Sequence, residues 1–171
     1  EKHAAELGKD VLEIGSRQGD PTAWWMNNRD LARGSWHGID VQDGRGVDEV
    51  CDIHTLNEVF SANYFSGVLC SEVLEHVARP WIALPQLCRV LQPGGFAIFT
   101  TLFAFPEHGY PDDYYRYTQS GMRLLLEDAG FCEVKTEYAG NTPVILDDHG
   151  EGRINRRDMP MHIFATARKP C

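Results

Sequence analysis

A carboxylate and a glycine turn stand together near the start of the chain, in the sequence Val-Leu-Glu-Ile-Gly-Ser-Arg-Gln-Gly-Asp at residues 11–20. An aliphatic run that leads into such a turn is typical of a parallel strand whose loop binds a ligand, because glycine lets the ligand approach the backbone. A phosphate would be repelled by the carboxylate of Glu13, whereas a cationic ligand would be attracted. The spacing therefore predicts a cation-binding loop that contains Glu13, Gly15, Ser16 and Gly19.

S-adenosylmethionine is a ligand of this kind, since it carries a sulfonium and an ammonium group. A dinucleotide would instead require glycine at the first, third and sixth positions of the loop. Counted from Gly15, the third and sixth positions hold Arg17 and Asp20. The carboxylate of Asp20 would also repel a pyrophosphate. The loop favours a methyl donor over a nicotinamide or flavin cofactor, and on its own it also fits a glycine turn that binds nothing.

Strand and helix patterns alternate around this loop and indicate how it is positioned. We predict strands at residues 11–14, 36–41, 50–53, 65–71, 96–102, 132–138 and 161–168. We predict helices at residues 20–33, at residues 80–91, where Pro85 is expected to cause a kink, and from a cap at Thr118 or Ser120 to Gly130. Residues 140–160 are predicted to be an exposed loop. This alternation implies an α/β fold with a parallel sheet covered on both faces.

Polar residues end four successive predicted strands, at the edge where such sheets bind ligands. Asp40 is positioned to accept two hydrogen bonds from a ribose diol. Asp52 suits an adenine amino group, and the backbone of Ile53 suits a ring nitrogen. A single aspartate of this kind is usually a solvated loop residue, but four polar strand ends in register favour one shared site. The residues predicted to bind the donor beyond the first loop are Asp40, Val41, Asp52, Ile53, Ser71 and Glu72.

Several of these segments resemble class I S-adenosylmethionine-dependent methyltransferases of the type 11 group. The matching segments are residues 11–15, 38–40, 51–53, 71–77 and 89–95, of which Ser-Glu-Val-Leu-Glu-His-Val at 71–77 is the most specific. Many members have glycine where this chain has Arg17, so its first loop must close differently. The resemblance implies a Rossmann-like, doubly wound, mostly parallel seven-stranded sheet whose last strand, residues 161–168, is antiparallel.

The resemblance also implies methyl transfer from S-adenosylmethionine to a nucleophilic atom by in-line displacement. A catalytic base is needed only if the acceptor keeps a proton, and His76 and His108 are the candidates. The plainer alternative is that each histidine holds its loop by a hydrogen bond. The Asn/Asp-Pro-Pro-Tyr/Phe signature of nucleobase methylation is absent after the fourth strand. We therefore expect a small-molecule acceptor, sugar-linked or another metabolite.

Residues 103–117 combine prolines, glycine and aromatic rings in a stretch without helical or strand periodicity. Stiff turns and flat apolar faces with hydroxyl tips suit a flap over an acceptor pocket. The alternative is an aromatic plug that covers the sheet edge. In the flap hypothesis the acceptor contacts Phe105, His108, Tyr110 and Tyr114.

Composition limits the remaining functional classes. A chain of 171 residues suits one domain, and a net charge of −9 argues against a nucleic-acid surface. No apolar run approaches the ~20 residues of a membrane span. The five cysteines are scattered and the histidines lack paired spacing, so we expect a reducing cytoplasm and no metal.

Three functions remain open at this level. The chain is an active methyltransferase, a protein that binds the donor as a regulatory or assembly module without turnover, or a nucleotide-dependent oxidoreductase. The loop spacing disfavours the third, and Arg17 keeps the second open.

Overall fold

The computed structural model describes residues 3–18, 34–109, 112–147 and 154–171. The strands are β1 Asp10–Ile14, β2 Ser35–Asp40, β3 Glu49–Val50, β4 Phe65–Ser71, β5 Leu91–Leu102, β6 Cys132–Asp147 and β7 Ile154–Arg168. The α-helices are α1 Leu56–Val59, α2 Pro80–Val90 and α3 Gln119–Asp128. The predicted helix at residues 20–33 and the predicted site residues Gly19 and Tyr110 lie outside the described residues.

The strands form one sheet in the order β3-β2-β1-β4-β5-β7-β6. Strands β1 to β5 pair in parallel, whereas β7 is antiparallel to both β5 and β6. The predicted α/β fold with seven strands and an antiparallel last strand is confirmed. The strand order reverses between β1 and β4, and ligands of such sheets bind beyond the strand ends at this point.

Alternate residues of the central strands face opposite sides of the sheet, as the two-residue period of a strand requires. In β1, Leu12 and Ile14 pack into the larger hydrophobic core, whereas Val11 packs into a smaller one. In β5, Phe99 belongs to the larger core and Ile98 to the smaller. These strands are therefore buried on both faces, which explains their continuously apolar sequences.

Two predicted segments differ from the structure. The third strand is only Glu49–Val50, because Asp52 caps a 3₁₀ turn that starts at Ile53 and so ends the extended backbone. The loop predicted at residues 140–160 is wrong, since β6 and β7 continue through much of it and pair from Asn141 with Pro160 to Asp147 with Ile154. Pro160 is tolerated because β5 stops pairing with β7 at His162, which leaves this part of β7 without a second neighbour.

The helix predicted near residue 118 is confirmed. Thr118 caps α3, because its hydroxyl accepts a hydrogen bond from the N–H of Gly121 at 3.0 Å. Met122 and Leu126 are buried on its inner face. Gly130 follows the helix with φ of +95°, the left-handed conformation expected of glycine there.

The cysteines behave as the composition predicts. All five are free thiols, and Cys51, Cys70 and Cys88 are buried, where a thiol packs as a small apolar group.

Helix α2 runs through Pro85 without interruption and starts with Pro80 at its first position. Among the helices in the described ranges, none has the length and apolar character needed to cross a membrane.

Candidate active site

A cavity of about 490 Å³ lies at the carboxyl ends of β1, β2, β3 and β4. It opens where the strand order reverses, and its volume is within the ~300–1,000 Å³ of small-molecule sites. Of the residues predicted to bind the donor, those that line it are Gly15, Asp40, Val41, Asp52, Ile53 and Glu72. His76 and Tyr114, predicted for catalysis and for the acceptor, line the same cavity.

The loop after β1 is held close to the loop after β4. Gly15 has φ of +70°, and a Cβ placed on it would come within 2.3 Å of Val73 Cγ2. Arg17 replaces the glycine of related loops and ties its loop to the one after β2. Its N–H donates to Asp40 Oδ2 at 3.3 Å, and its Nε donates to the carbonyl of Asp43 at 3.2 Å.

Three predicted donor residues do not belong to the described lining of the cavity. Glu13 is buried, and its Oε2 accepts a hydrogen bond from Trp36 Nε1 at 2.6 Å. The hydroxyl of Ser71 hydrogen-bonds that of Thr100 at 2.8 Å. Ser16 is buried, and its Oγ has no hydrogen-bond partner among the described residues.

Asp40 and Asp52 each accept a hydrogen bond from a residue close to them in the chain. Asp40 Oδ1 accepts from the N–H of Gln42 at 3.0 Å. Asp52 Oδ1 accepts from the N–H of His54 at 2.8 Å and contacts its Nδ1 at 2.6 Å. Burial raises the pKa of Asp52, but the hydrogen bonds from His54 outweigh it and lower that pKa overall.

Glu72 is the first residue after β4 and lines the cavity. Its φ of 53° lies in the left-handed region that residues other than glycine seldom adopt. The carbonyl of Thr100 holds this conformation by accepting the N–H of Glu72 at 2.9 Å. The carboxylate reaches His162 of β7, whose Nδ1 lies 3.2 Å from Oε1.

Glu75 lies in the 3₁₀ turn Leu74–His76 after β4 and is 0% exposed. Thr101 Oγ1 donates to its Oε2 at 2.8 Å. Oε1 has no hydrogen-bond partner within the described part of the chain. Burial raises the pKa of this carboxyl, and the neighbouring Glu72 carboxylate adds to the increase. A buried acid with an unpaired oxygen is uncommon and points to a function.

His76 and His108 lie side by side, with ring centroids 4.9 Å apart. Nδ1 of His76 is 2.6 Å from the carbonyl oxygen of Asp112, so this nitrogen carries the proton. Nδ1 of His108 is 3.0 Å from Oδ2 of Asp113. Each ring is therefore anchored through Nδ1, which leaves Nε2 for chemistry. A ring nitrogen of each histidine and a carboxylate oxygen of Glu75 lie within 4.8 Å of one another, a group able to hold a metal.

The aromatic segment, residues 103–117, combines the two arrangements that its composition allows. Tyr117 is buried and its hydroxyl donates to the carbonyl of Leu74 at 2.9 Å, as in a plug. Tyr115 packs against the core and donates to the carbonyl of Ala78. Tyr114 and Phe105 are exposed, as in a flap, and Phe105 contacts the ring of His108.

A charged pair fixes the middle of the aromatic segment. The guanidinium of Arg116 contacts both carboxylate oxygens of Asp113, with NH2 2.6 Å from Oδ2. It also donates to the carbonyls of Phe105 and Pro106. The hydrogen bond from Arg116 holds the pKa of Asp113 well below its usual range. Asp113 therefore stays ionised and keeps His108 in place by accepting its N–H at 2.8 Å.

Two residues near the cavity escaped the sequence prediction. His54 lines it, and its Nε2 is buried without a partner among the described residues. His54 could have been predicted from its position two residues after Asp52, where its side chain can contact the aspartate carboxylate. Glu75 stands inside the segment 71–77, but nothing in the sequence distinguishes its buried carboxylate from that of the half-buried Glu72.

Comparison with known proteins assigns this arrangement to a family. The sequence profile of the type 11 methyltransferase domain matches residues 12–99. The ubiquinone biosynthesis O-methyltransferase of Shewanella sp. (strain ANA-3) is 30% identical over an alignment of 113 residues that covers 56% of this chain and 44% of that protein. The enzyme of the same name from Hahella chejuensis (strain KCTC 2396) is 27% identical over an alignment of 122 residues that covers 63% and 49% of the two chains. The chain thus spans about half the length of the curated relatives it matches.

Solved structures agree in fold. An S-adenosylmethionine-dependent methyltransferase from Archaeoglobus fulgidus superposes with a TM-score of 0.70 at 16% identity, over 96% of this chain and 88% of that one. Phosphoethanolamine N-methyltransferase 2 of Haemonchus contortus, in complex with S-adenosyl-L-methionine, gives 0.64 at 15% identity, over 97% and 50%. The family profile covers just over half of the chain, so this protein belongs to the class I S-adenosylmethionine-dependent methyltransferases of the type 11 group.

Proposed function

We propose that the chain transfers the methyl group of S-adenosylmethionine to a hydroxyl of a small-molecule acceptor. The observation that carries this proposal is that one cavity joins the glycine turn after β1 to His76 and Tyr114. We name the part around Gly15, Asp40 and Asp52 the donor end. The acceptor end is the part around His76 and Tyr114, together with the adjacent Glu75 and His108, which lie outside the described lining of the cavity.

The donor end suits a nucleoside with a cationic amino-acid tail. Asp40 accepts backbone hydrogen bonds on both carboxylate oxygens, and each oxygen keeps a further lone pair for a ribose hydroxyl. Besides Asp40 and Asp52, Glu72 adds a third carboxylate to the lining, on the side toward β4. This acidic lining attracts the ammonium and sulfonium groups and repels a polyphosphate.

The acceptor end suits a group that must lose a proton. In the proposed reaction the acceptor oxygen attacks the methyl carbon, the carbon–sulfur bond breaks, and S-adenosylhomocysteine leaves. The hydroxyl proton needs a base within hydrogen-bond reach. Nε2 of His76 is such a base, because the bond from Nδ1 to the carbonyl of Asp112 fixes the tautomer. The O-methyltransferase relatives support oxygen as the accepting atom.

Calorimetry followed by a turnover screen tests the proposal. We expect S-adenosylmethionine and S-adenosylhomocysteine to bind at micromolar level, and NAD and ATP not to bind. Release of S-adenosylhomocysteine is then measured with a library of hydroxylated metabolites, including sugar-linked ones. Equal or tighter binding of NAD contradicts the donor assignment. Donor binding without release on any acceptor favours the regulatory or assembly module, for which Arg17 in the donor loop is the supporting feature.

A further inference from the structure

We propose that Glu75, His76 and His108 form a binding site for a divalent transition-metal ion such as Zn²⁺ at the acceptor end of the cavity. Two imidazoles and one carboxylate are a ligand set used by catalytic zinc sites, which keep a fourth position open for water or substrate. The proposal goes beyond methyl transfer, because it concerns an ion that binds with neither donor nor acceptor present.

The carboxylate supplies the first argument. Glu75 is 0% exposed, and within the part of the chain that the structure describes only one of its oxygens has a hydrogen-bond partner, the hydroxyl of Thr101. Burying an acid with an unpaired oxygen costs free energy that a cation would return. Two histidine rings can share such a cation, since a nitrogen of each lies within 4.8 Å of one carboxylate oxygen of Glu75.

The histidines supply the second argument. Metal-bound histidines almost always use their other ring nitrogen to contact a carbonyl or a carboxylate, which orients the ring. Both kinds of partner, a carbonyl and a carboxylate, are present here. Nδ1 of His76 meets the carbonyl of Asp112, and Nδ1 of His108 meets the carboxylate of Asp113. Arg116 in turn holds Asp113 on both oxygens. Both Nε2 atoms are thereby left as ligands.

The spacing requires only a small adjustment. Zinc–nitrogen bonds of ~2.0–2.1 Å in a tetrahedral site put neighbouring ligand atoms about 3.3 Å apart. The three atoms lie within 4.8 Å of one another. His108 has 40% of its side chain exposed, so its ring has room to rotate toward Glu75.

Spacing along the sequence gave no expectation of a metal, because the ligands are not paired on one helix or turn. The fold brings them together instead, by docking the aromatic segment on the turn after β4. Among the described residues, Glu75, His76 and His108 form the one group of three side chains whose ligand atoms lie close enough together to bind the same ion. A bound ion would occupy the Nε2 lone pairs, so His76 would act as a ligand instead of a base, and the ion would supply a Lewis acid that makes an acceptor hydroxyl more acidic.

The test is a titration of the purified, metal-free chain with Zn²⁺ by calorimetry and with Co²⁺ by visible absorption, without donor or acceptor. We expect one ion per chain at micromolar level or tighter, and a Co²⁺ spectrum of low-symmetry, four- or five-coordinate type. His108→Ala and Glu75→Gln should each weaken Zn²⁺ binding at least about tenfold. Because His108 is partly exposed, its variant should keep the wild-type melting temperature even if the Glu75 variant is unstable.

His162→Ala is the matched control, because His162 also pairs with a carboxylate, Glu72, but lies outside the three-residue group. Its Zn²⁺ affinity should stay within about threefold of wild type. Absence of stoichiometric binding, unchanged affinity in His108→Ala, or an equal loss in His162→Ala would overturn the proposal and leave a hydrogen-bonded cluster only. S-adenosylmethionine binding is measured on the same samples, so a failed metal site is distinguished from a failed donor site.

Discussion

At the donor end of the cavity Asp40 and Asp52 each accept a backbone N–H from a partner two residues further on, and Asp40 has a second, distant partner in Arg17. At the acceptor end His108 is held locally by Asp113, whereas Glu75 and His76 are held by distant parts of the chain. His76 is held by Asp112, 36 residues away, and Glu75 by Thr101, 26 residues away.

This difference predicts which substitutions should reduce ligand affinity and which should reduce the stability of the fold. A donor end made of local turns should lose affinity when one of its residues changes, while the protein stays folded. An acceptor end assembled by long-range contacts should lose stability when one of its anchors changes. The predictions that follow test this separation, starting with the largest expected effect.

Gly15→Ala should reduce affinity for S-adenosylmethionine at least about a hundredfold, which corresponds to ~2.7 kcal/mol. The new Cβ would come within 2.3 Å of Val73 Cγ2, and both residues line the cavity. A left-handed backbone adds a further ~1–2 kcal/mol of strain for alanine. Calorimetry with the donor measures the loss.

Gly94→Ala is the matched control for this change. Gly94 has nearly the same backbone conformation, with φ of +74°, but its Cβ would meet only Cys171 Sγ at 3.7 Å. It should lower the melting temperature and leave donor affinity unchanged. If the two variants lose affinity equally, the contact with Val73 does not shape the donor end.

Asp40→Ala should weaken donor binding about ten- to a hundredfold with the fold intact. A carboxylate that accepts hydrogen bonds from ribose contributes ~1.5–3 kcal/mol. Asp43→Ala serves as the comparison, because Asp43 holds Arg17 through its backbone carbonyl and not its side chain. Calorimetry on both variants decides, and similar losses would show that the ribose assignment is mistaken.

Tyr117→Phe should lower the free energy of unfolding by about 1–3 kcal/mol, because it leaves the buried carbonyl of Leu74 without its donor. Tyr115→Phe removes an exposed hydrogen bond to Ala78 and should cost about 1 kcal/mol or less. Urea unfolding of both variants measures the difference. Donor affinity should be unchanged in each, and a loss of affinity without a loss of stability would contradict the long-range anchoring.

Asp52→Asn should change the free energy of unfolding least among these variants, and the size of this change should depend on pH. Burial raises the pKa of Asp52, but the hydrogen bonds from His54 outweigh burial and bring that pKa below its ordinary value of 3.8. The ionised form therefore adds stability above pH 3.8, and this stability is lost as pH falls through the lower, folded-state pKa. Because the side chain is 53% exposed, we expect less than about 1 kcal/mol at neutral pH.

Thermal melts of the wild type and Asp52→Asn across this range provide the measurement. The melting temperatures should differ slightly at pH 7 and converge as the pH falls below 3.8. A difference that grows on acidification would contradict the role of His54.

The same contrast explains how far the sequence predicts the site. Gly15, Asp40 and Asp52 stand at or within two residues of the ends of strands, so their positions follow from strand ends and parallel order alone. Glu72 was found in the same way. Helix α3 was predicted from its cap and its apolar face, which are also local signals.

The acceptor end was predicted only in part, because its contacts are not periodic. His76 and His108 were each singled out, but no pattern along the chain indicates that their rings meet. The unpaired oxygen of Glu75 depends on burial, which the sequence does not record at a single residue. The hairpin of β6 and β7 was missed because Asn141, Pro143 and Pro160 interrupt the alternation that marks a strand.

The position of β7 in the sheet has a consequence for synthesis of the protein. β7 lies between β5 and β6, so this interior strand of the sheet is synthesised after both of its neighbours. Until residues 162–168 emerge, β5 keeps one edge without a partner, although β1 to β4 are already available to pair. An unpaired apolar edge recruits strands of other chains. The nascent chain is therefore most prone to aggregation between the emergence of Leu102 and that of Ile163.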